Sequence, residues 1–454
     1  MKIIHSLFYI LVVLSLTGLL ACSDTDVKTQ IVTEIVEVPP PEPDATNVSL
    51  NIVASQIDGA LTSNGGAFPA NIYEDGNIFF KGTSIGDEFN VGTTPFQSYD
   101  SFLVNDDYDA LYRVDSPGSL IPLNQNATIL ADQTVDSYAT IDLNITSVEV
   151  TPVFTLNGGN FPASQYDHGL FYLQPVNSNE LIFIGDSNVV NQPVRVVPGD
   201  YHVVYDYVQG TASPINKNAR VRETVTLDSD QVLNVDVSVG DFRATFSLNG
   251  NDFPISQYDH AEFYLKDRVT GGESFIMKSY EPFVTVPVID GSYDIIYKVK
   301  QANTIPINSS KVILSELSLS GGGAITHDLV SITIDANVTL NGQPFQVSEY
   351  QDGIIELFDA ATGSYTELGN THNSFSNILI IPGAYDITYS HESGDAVPQN
   401  MHGVILSNQI IDADGDLNID VVGVLVTTDI TFNTIAFPQS QSHTAGQDHY
   451  KLNF

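Results

Sequence analysis

The phrase Ser-Gln-Tyr-Asp-His occurs twice in this chain and each time sets an aspartate beside a histidine: Asp167-His168 and Asp259-His260. Such a pair suggests general acid–base chemistry, in which a carboxylate orients an imidazole. On a strand, neighbouring side chains point to opposite faces, so the two are poorly placed to act as a dyad. The matching phrases at Tyr73 and Tyr350 read Tyr-Glu-Asp-Gly and Tyr-Gln-Asp-Gly and carry no His. The position therefore reads as a turn whose acidic residue caps backbone N–H groups. Gly82–Gly86, Gly-Thr-Ser-Ile-Gly, matches the nucleophile-elbow pattern. That pattern needs a strand-to-helix turn, and no helical periodicity follows it. Asp412, Asp414 and Asp416 alternate as in a calcium loop. Asp228 and Asp230 align with the first two, and Val232 takes the place of the third, which makes most of the motif an ordinary loop. His443 and His449 lie in a tail without metal-ligand spacing. Ser320-Gly-Gly-Gly has no Lys or following helix, so it is no phosphate loop. Tyr280 and Tyr365 are candidate sugar-stacking rings, although the chain has no Trp. The expectation is no catalytic residue, no cofactor and no metal.

The remaining chemistry-bearing residue is the one cysteine, Cys22. No intrachain disulfide can form, so stability must come from hydrophobic packing. Cys22 follows Lys2 and an apolar run ending at Leu20, which is the pattern of a signal peptide. The formal charge is −39. Such a surface repels phosphate backbones and anionic headgroups, which excludes nucleic-acid partners.

The elements that carry these residues repeat. Tyr73, Tyr166, Tyr258 and Tyr350 recur at steps of 93, 92 and 92 residues. Pro122/Asn124, Pro214/Asn216, Pro306/Asn308 and Pro398/Asn400 recur at steps of 92. The phrase Pro198-Gly-Asp-Tyr-His-Val-Val-Tyr returns at Asp290 and Pro382, and in degenerate form at Asp106. In the second copy, turn residues separate seven short apolar or alternating runs: 148–156, 169–173, 180–185, 193–197, 201–208, 219–227 and 232–239. That is the pattern of a β-sandwich. Tyr201, Val203, Tyr205 and Tyr207 share one face, with rings placed in the core and hydroxyls at its wet edge. The expected fold is all-β: tandem seven-stranded antiparallel sandwich modules after a signal peptide and a Pro-rich tether. The expected divisions are a signal peptide at 1–21, a disordered tether at 22–47, and modules at 48–146, 147–239, 240–330 and 331–421. A partial fifth module occupies 422–454. Residues Pro39–Pro43 should form a semi-stiff spacer. Junctions such as Gly240-Asp241 are too short to bend freely, so a semi-rigid rod of roughly 100 Å follows from strand length.

Two resemblances add to this. Leu19-Leu20-Ala21-Cys22 resembles the bacterial lipobox. That resemblance implies cleavage before Cys22 and lipidation there, and several acyl chains anchor stably. Ser23 after the Cys implies delivery to the outer membrane. The Pro-Gly-x-Tyr-x-Val-x-Tyr strand resembles prealbumin-like and immunoglobulin-like sandwiches of the carboxypeptidase-regulatory-like or Cna-B type. This implies stalk, adhesin or binding modules and no catalysis. Some Cna-B relatives carry Lys–Asn cross-links, but no Lys repeats here. The functional expectation is a non-enzymatic envelope lipoprotein, structural or adhesive, held to the membrane by its lipid, with a protein or glycan partner. The alternative is a solute- or glycan-binding lipoprotein, with or without stabilisation by Ca²⁺.

Overall fold

The computed structural model describes residues 29–36, 48–69, 73–84, 86–346, 348–373, 375–426, 431–432 and 435–436. Cys22, the leader, the Pro-rich segment, His443, His449 and most of 422–454 lie outside the described residues.

The second repeat shows how the sequence sets the fold. One sheet pairs Val148–Leu156 with Val194–Val196, Gln231–Val237 and the two-residue Gly159–Asn160. The other runs in the order Ile182–Asp186, His168–Pro175, Gly199–Gln209, Ala219–Leu227. All seven expected strands are present. The alternation in Gly199–Gln209 sends Tyr201, Val203 and Tyr205 into the core, each no more than 3% exposed. They meet Val150, Phe171, Leu173, Ile184 and Val235 from both sheets. The third and fourth repeats have the same two sheets, and the first adds edge strands to one of them. Four hydrophobic clusters result. The helical content among the described residues is a single 3-10 turn, Thr94–Phe96.

The all-β sandwich expected from the sequence is what the chain forms. One pairing per repeat adds to the antiparallel plan: the last strand lies parallel to the first, with Val150 opposite Gln231 and Leu156 opposite Val237. Two parallel end strands enter a repeat at one end and leave at the other, so the chain passes straight into the next repeat. Part of the tether departs from its expected disorder. Thr29–Val36 is a strand antiparallel to the start of Val48–Ser63. Its Thr, Ile and Val residues favour the extended state, and an unpaired edge is available to it.

Each repeat opens with a hairpin whose turn is Asn-Gly. Asn64, Asn157, Asn249 and Asn341 have φ of 50–51°, and the glycines after them have φ of 72–77°. Two successive positive φ values define the tight turn that fits strand twist, and Asn-Gly is the pair that best tolerates it. These asparagines also serve the junctions described below.

Candidate functional site

The residues that do most are the Pro-x-Asn pairs, and they act between repeats. The loop carrying each pair is fixed from its own core. The buried Tyr205 hydroxyl donates to the Pro214 carbonyl at 3.0 Å, and the Tyr207 N–H donates to the Asn216 carbonyl at 2.8 Å. Asn216 is then presented to the next repeat with its side chain free to bond. Its Nδ2 donates to the Tyr293 hydroxyl at 2.9 Å, and its Oδ1 accepts the Ile289 N–H at 2.8 Å. The Tyr293 hydroxyl in turn donates to the Ile289 carbonyl at 2.7 Å. The amide nitrogen and oxygen of Asn216 and the Tyr293 hydroxyl each have a partner, as buried polar groups require.

The same clasp occurs three times. Asn124 bonds Tyr201 and Val197 at 3.1 and 2.7 Å. Asn308 bonds Tyr385 and Ile381 at 3.0 and 2.7 Å. These asparagines are 0–2% exposed. Burial is the main cause that raises the hydroxyl pKa of Tyr201, to about 12, and of Tyr293 and Tyr385. The residue before each Asn adds a backbone bond across the junction: Leu123 to Arg195, Ile215 to Pro287, Ile307 to Leu379. Apolar residues also cross. Ile215 and Ile381 belong to the core of the third repeat, and Ile289 to that of the second. The Lys311–Asp359 ion pair, 2.5 Å and nearly buried, joins the third repeat to the fourth. At Pro398 the loop is the same, but Gln399 and Asn400 are exposed. Among the described residues nothing takes the Asn400 side chain.

A second asparagine secures the linker at each junction. Asn157 of the Asn-Gly turn accepts the Val239 N–H at 2.9 Å and donates to the Val239 carbonyl at 3.0 Å. Asn341 holds Gly423 in the same way, while Asn64 and Asn249 accept the N–H of Ser147 and Ser331 and donate to the hydroxyl of the same serine. The following glycine N–H is capped by Asp236, Asp328 or Asp420, each also bonded by a Thr or Ser hydroxyl. In the first repeat Asn144 takes that place.

The Gly158 N–H holds the Asp236 carboxyl below the usual range, as the Ser247 hydroxyl does for Asp328 and the Gly342 N–H for Asp420. A carboxyl depressed on folding gives stability above its unfolded pKa, and that stability is lost as pH falls through the folded value. Acid should therefore loosen the second, third and fourth repeats below about pH 4. The combined D236N, D328N and D420N substitutions, which copy Asn144, should reduce the drop in denaturant midpoint between pH 7 and pH 3, both working values set around that range. An unchanged drop would assign acid sensitivity elsewhere.

The residues singled out in the sequence do not come together. Asp167 accepts N–H groups of Thr211, Ala212 and Ser213, and Asp259 those of Asn303 and Thr304. His168 turns instead to Asp186, at 2.9 Å, and His260 packs edge-on against Tyr280. Each "dyad" is thus a loop cap beside a strand-edge contact. Ser84 of Gly-Thr-Ser-Ile-Gly lies in a hairpin turn, where its hydroxyl donates to Asp106 at 2.6 Å. Asp414 accepts the Thr333 N–H as Asp230 accepts that of Glu149, while Asp412 and Asp416 are exposed. Tyr365 lies against the His402 ring.

The sequence reading missed one cluster, because its members are 46 residues apart. On the outer sheet of the fourth repeat, Glu356, Ser390 and His402 meet. A hydrolytic triad needs the carboxylate and the nucleophile on different ring nitrogens. Here both contact Nδ1, and the Ser390 hydroxyl also donates to Glu356. The arrangement holds a buried carboxylate and does not activate the serine.

No protein-family model matches the chain, and no curated protein matches it. Solved structures do. The Bacillus anthracis TIE protein is 11% identical, covering 89% of this chain and 76% of its own, at a TM-score of 0.17. A streptococcal ancillary pilin is 10% identical over 60% and 99%, at a TM-score of 0.18. Two B repeat units of the collagen-binding protein of Staphylococcus aureus are 10% identical over 82% and 99%, at a TM-score of 0.16.

Proposed function

We propose that this chain is a non-enzymatic lipoprotein of the bacterial outer membrane, a structural or adhesive rod that holds its repeats away from the bilayer. The observation that carries this is the asparagine clasp, built three times from the same residues at the same spacing. A clasp of this kind restricts bending between repeats, and a spacer needs that restriction. Lipidation of Cys22 would moor the rod, and the Pro-rich segment would lift it. The four marker tyrosines, Tyr73, Tyr166, Tyr258 and Tyr350, are 64–78% exposed. Large aromatic rings kept on the surface of every repeat suit contact with a partner.

The test uses the full chain in a Gram-negative host. Labelled palmitate should enter the wild-type protein and not Cys22→Ser, and protease added to intact cells should release the repeats as folded fragments. Absence of label from the wild type would remove the anchor. Protection of the repeats until the outer membrane is opened would remove the outward-facing rod.

A further inference from the structure

Each repeat carries one comparable patch on its outer sheet, and the second repeat alone leaves it open. In the first repeat the Arg113 guanidinium lies 4.4 Å over the Phe79 ring and pairs with Glu88. In the third, the Lys298 ammonium lies 5.0 Å over the Tyr264 ring and pairs with Glu273. In the fourth, Glu356 holds the position of the ring, and His402 covers Tyr365 and bonds Glu356. The strand registers place Tyr172 where Phe79 and Tyr264 stand, and Asp206 where Arg113 and Lys298 stand. Leu181 takes the place of Glu88 and Glu273. The covering cation and its carboxylate partner are both gone. Among the described residues no cation lies over the Tyr172 ring.

What remains is a cleft of about 430 Å³ between the outer sheet of the second repeat and the Val269-Thr270 turn of the third. It is lined by Tyr172, Gln174, Asn179, Asp206, Asn218 and Arg220. The Arg220 Nη1 reaches Glu223 at 3.4 Å, and among the described residues no hydrogen bond engages its Nη2.

We infer that this cleft binds a neutral pyranose unit of a polysaccharide. The aromatic ring offers a flat face to sugar C–H groups. Three side-chain amides supply donors and acceptors together, Asp206 supplies acceptors and Arg220 a donor, which is the mixture that adjacent sugar hydroxyls require. Asp206 and Arg220 carry opposite charges, so the lining favours no ionic ligand. The charge of −39 on the whole chain repels anionic polymers. This goes beyond the spacer reading and does not depend on it: if the cleft binds nothing, the clasps are unaffected.

The experiment is calorimetry and saturation-transfer NMR on the full chain. The probes are neutral hexaoses of β-1,4-glucan, β-1,4-mannan, α-1,4-glucan and β-1,4-N-acetylglucosamine, with spermidine and an oligogalacturonate as charged controls. At least one neutral hexaose should bind and receive saturation at its ring protons, and Tyr172→Ala should weaken binding at least about tenfold. The double change L181E/D206R rebuilds the ion pair of the first repeat over the ring. It should abolish binding while leaving the circular dichroism of the folded sheets in place, with some fall in the thermal midpoint because Asp206 also accepts the Asn218 N–H and pairs with Lys217. The assignment is overturned if no neutral hexaose binds, if binding survives L181E/D206R, or if only spermidine or the oligogalacturonate binds.

Discussion

Replacing Asn216 by Ala should cost about 2–4 kcal/mol, while the same change at Asn400 should cost less than about 0.5 kcal/mol. The two residues occupy equivalent places 184 residues apart, each two after a proline whose carbonyl accepts a tyrosine hydroxyl. They differ in what lies beyond. Asn216 is 1% exposed and is the acceptor of the buried Ile289 N–H. Its loss leaves that donor unpaired, which costs about 1–3 kcal/mol, and removes a further bond to Tyr293 worth about 1 kcal/mol. Asn400 is exposed, and its removal strands nothing. The measurement is denaturant unfolding of the full chain followed by circular dichroism. A tandem array behaves as repeat stabilities joined by nearest-neighbour terms. Asn216→Ala should therefore split the transition into segments on either side of the junction, and protease should cut there first. Equal effects from the two substitutions would show that the clasps contribute nothing to the joint.

Much of the fold could be read before any coordinates because its signals are local. Val148–Leu156 and Ala219–Leu227 coincide with the runs read from the sequence, since turn residues bound both. The tyrosine strand was legible for the same reason: alternation alone sends Tyr201, Val203 and Tyr205 to one face. What the tyrosine hydroxyls do was not legible. They were expected at a wet edge, yet those of Tyr205 and Tyr297 are buried against Pro214 and Pro306, and those of Tyr293 and Tyr385 sit inside the junctions. The Pro-x-Asn pair could be seen as a periodic marker, but its partners stand 73 and 77 residues further on, in another repeat. Periodicity reports that a residue is kept and is silent on the partner. The parallel end strands were hidden for a related reason, because 81 residues separate Val150 from Gln231. The open cleft had a weak signal. At matched positions Arg113 and Lys298 give way to Asp206, which becomes informative once strand register is known.

Phe263→Ala should be the most damaging single change in the third repeat, at about 3–5 kcal/mol. The ring is fully buried, stacked on Phe246 at 3.8 Å and edge-on to Phe253 and Tyr297. Truncation loses those contacts and leaves a cavity that two closely packed sheets cannot collapse to fill. Ile78 and Ile355 hold the same position in the first and fourth repeats. Phe263→Ile therefore keeps a side chain this fold already accepts there and should cost about 1–1.5 kcal/mol. The alanine effect should also travel. The same core contains Ile215 from the second repeat and Ile381 from the fourth, and it positions Tyr293 for Asn216 and Asn308 for Tyr385. A third repeat that unfolds early withdraws both clasps. Phe263→Ala should thus lower the midpoints of the second and fourth repeats, read from hydrogen exchange of amides in Gly199–Gln209 and Gly383–Ser393. Asn216→Ala leaves every core intact and should uncouple the repeats without lowering the exchange protection at the centre of Gly291–Gln301. If Phe263→Ala exposed only its own repeat to exchange, the repeats would be independent beads, and the stiffness that a spacer requires would have to come from something other than the clasps.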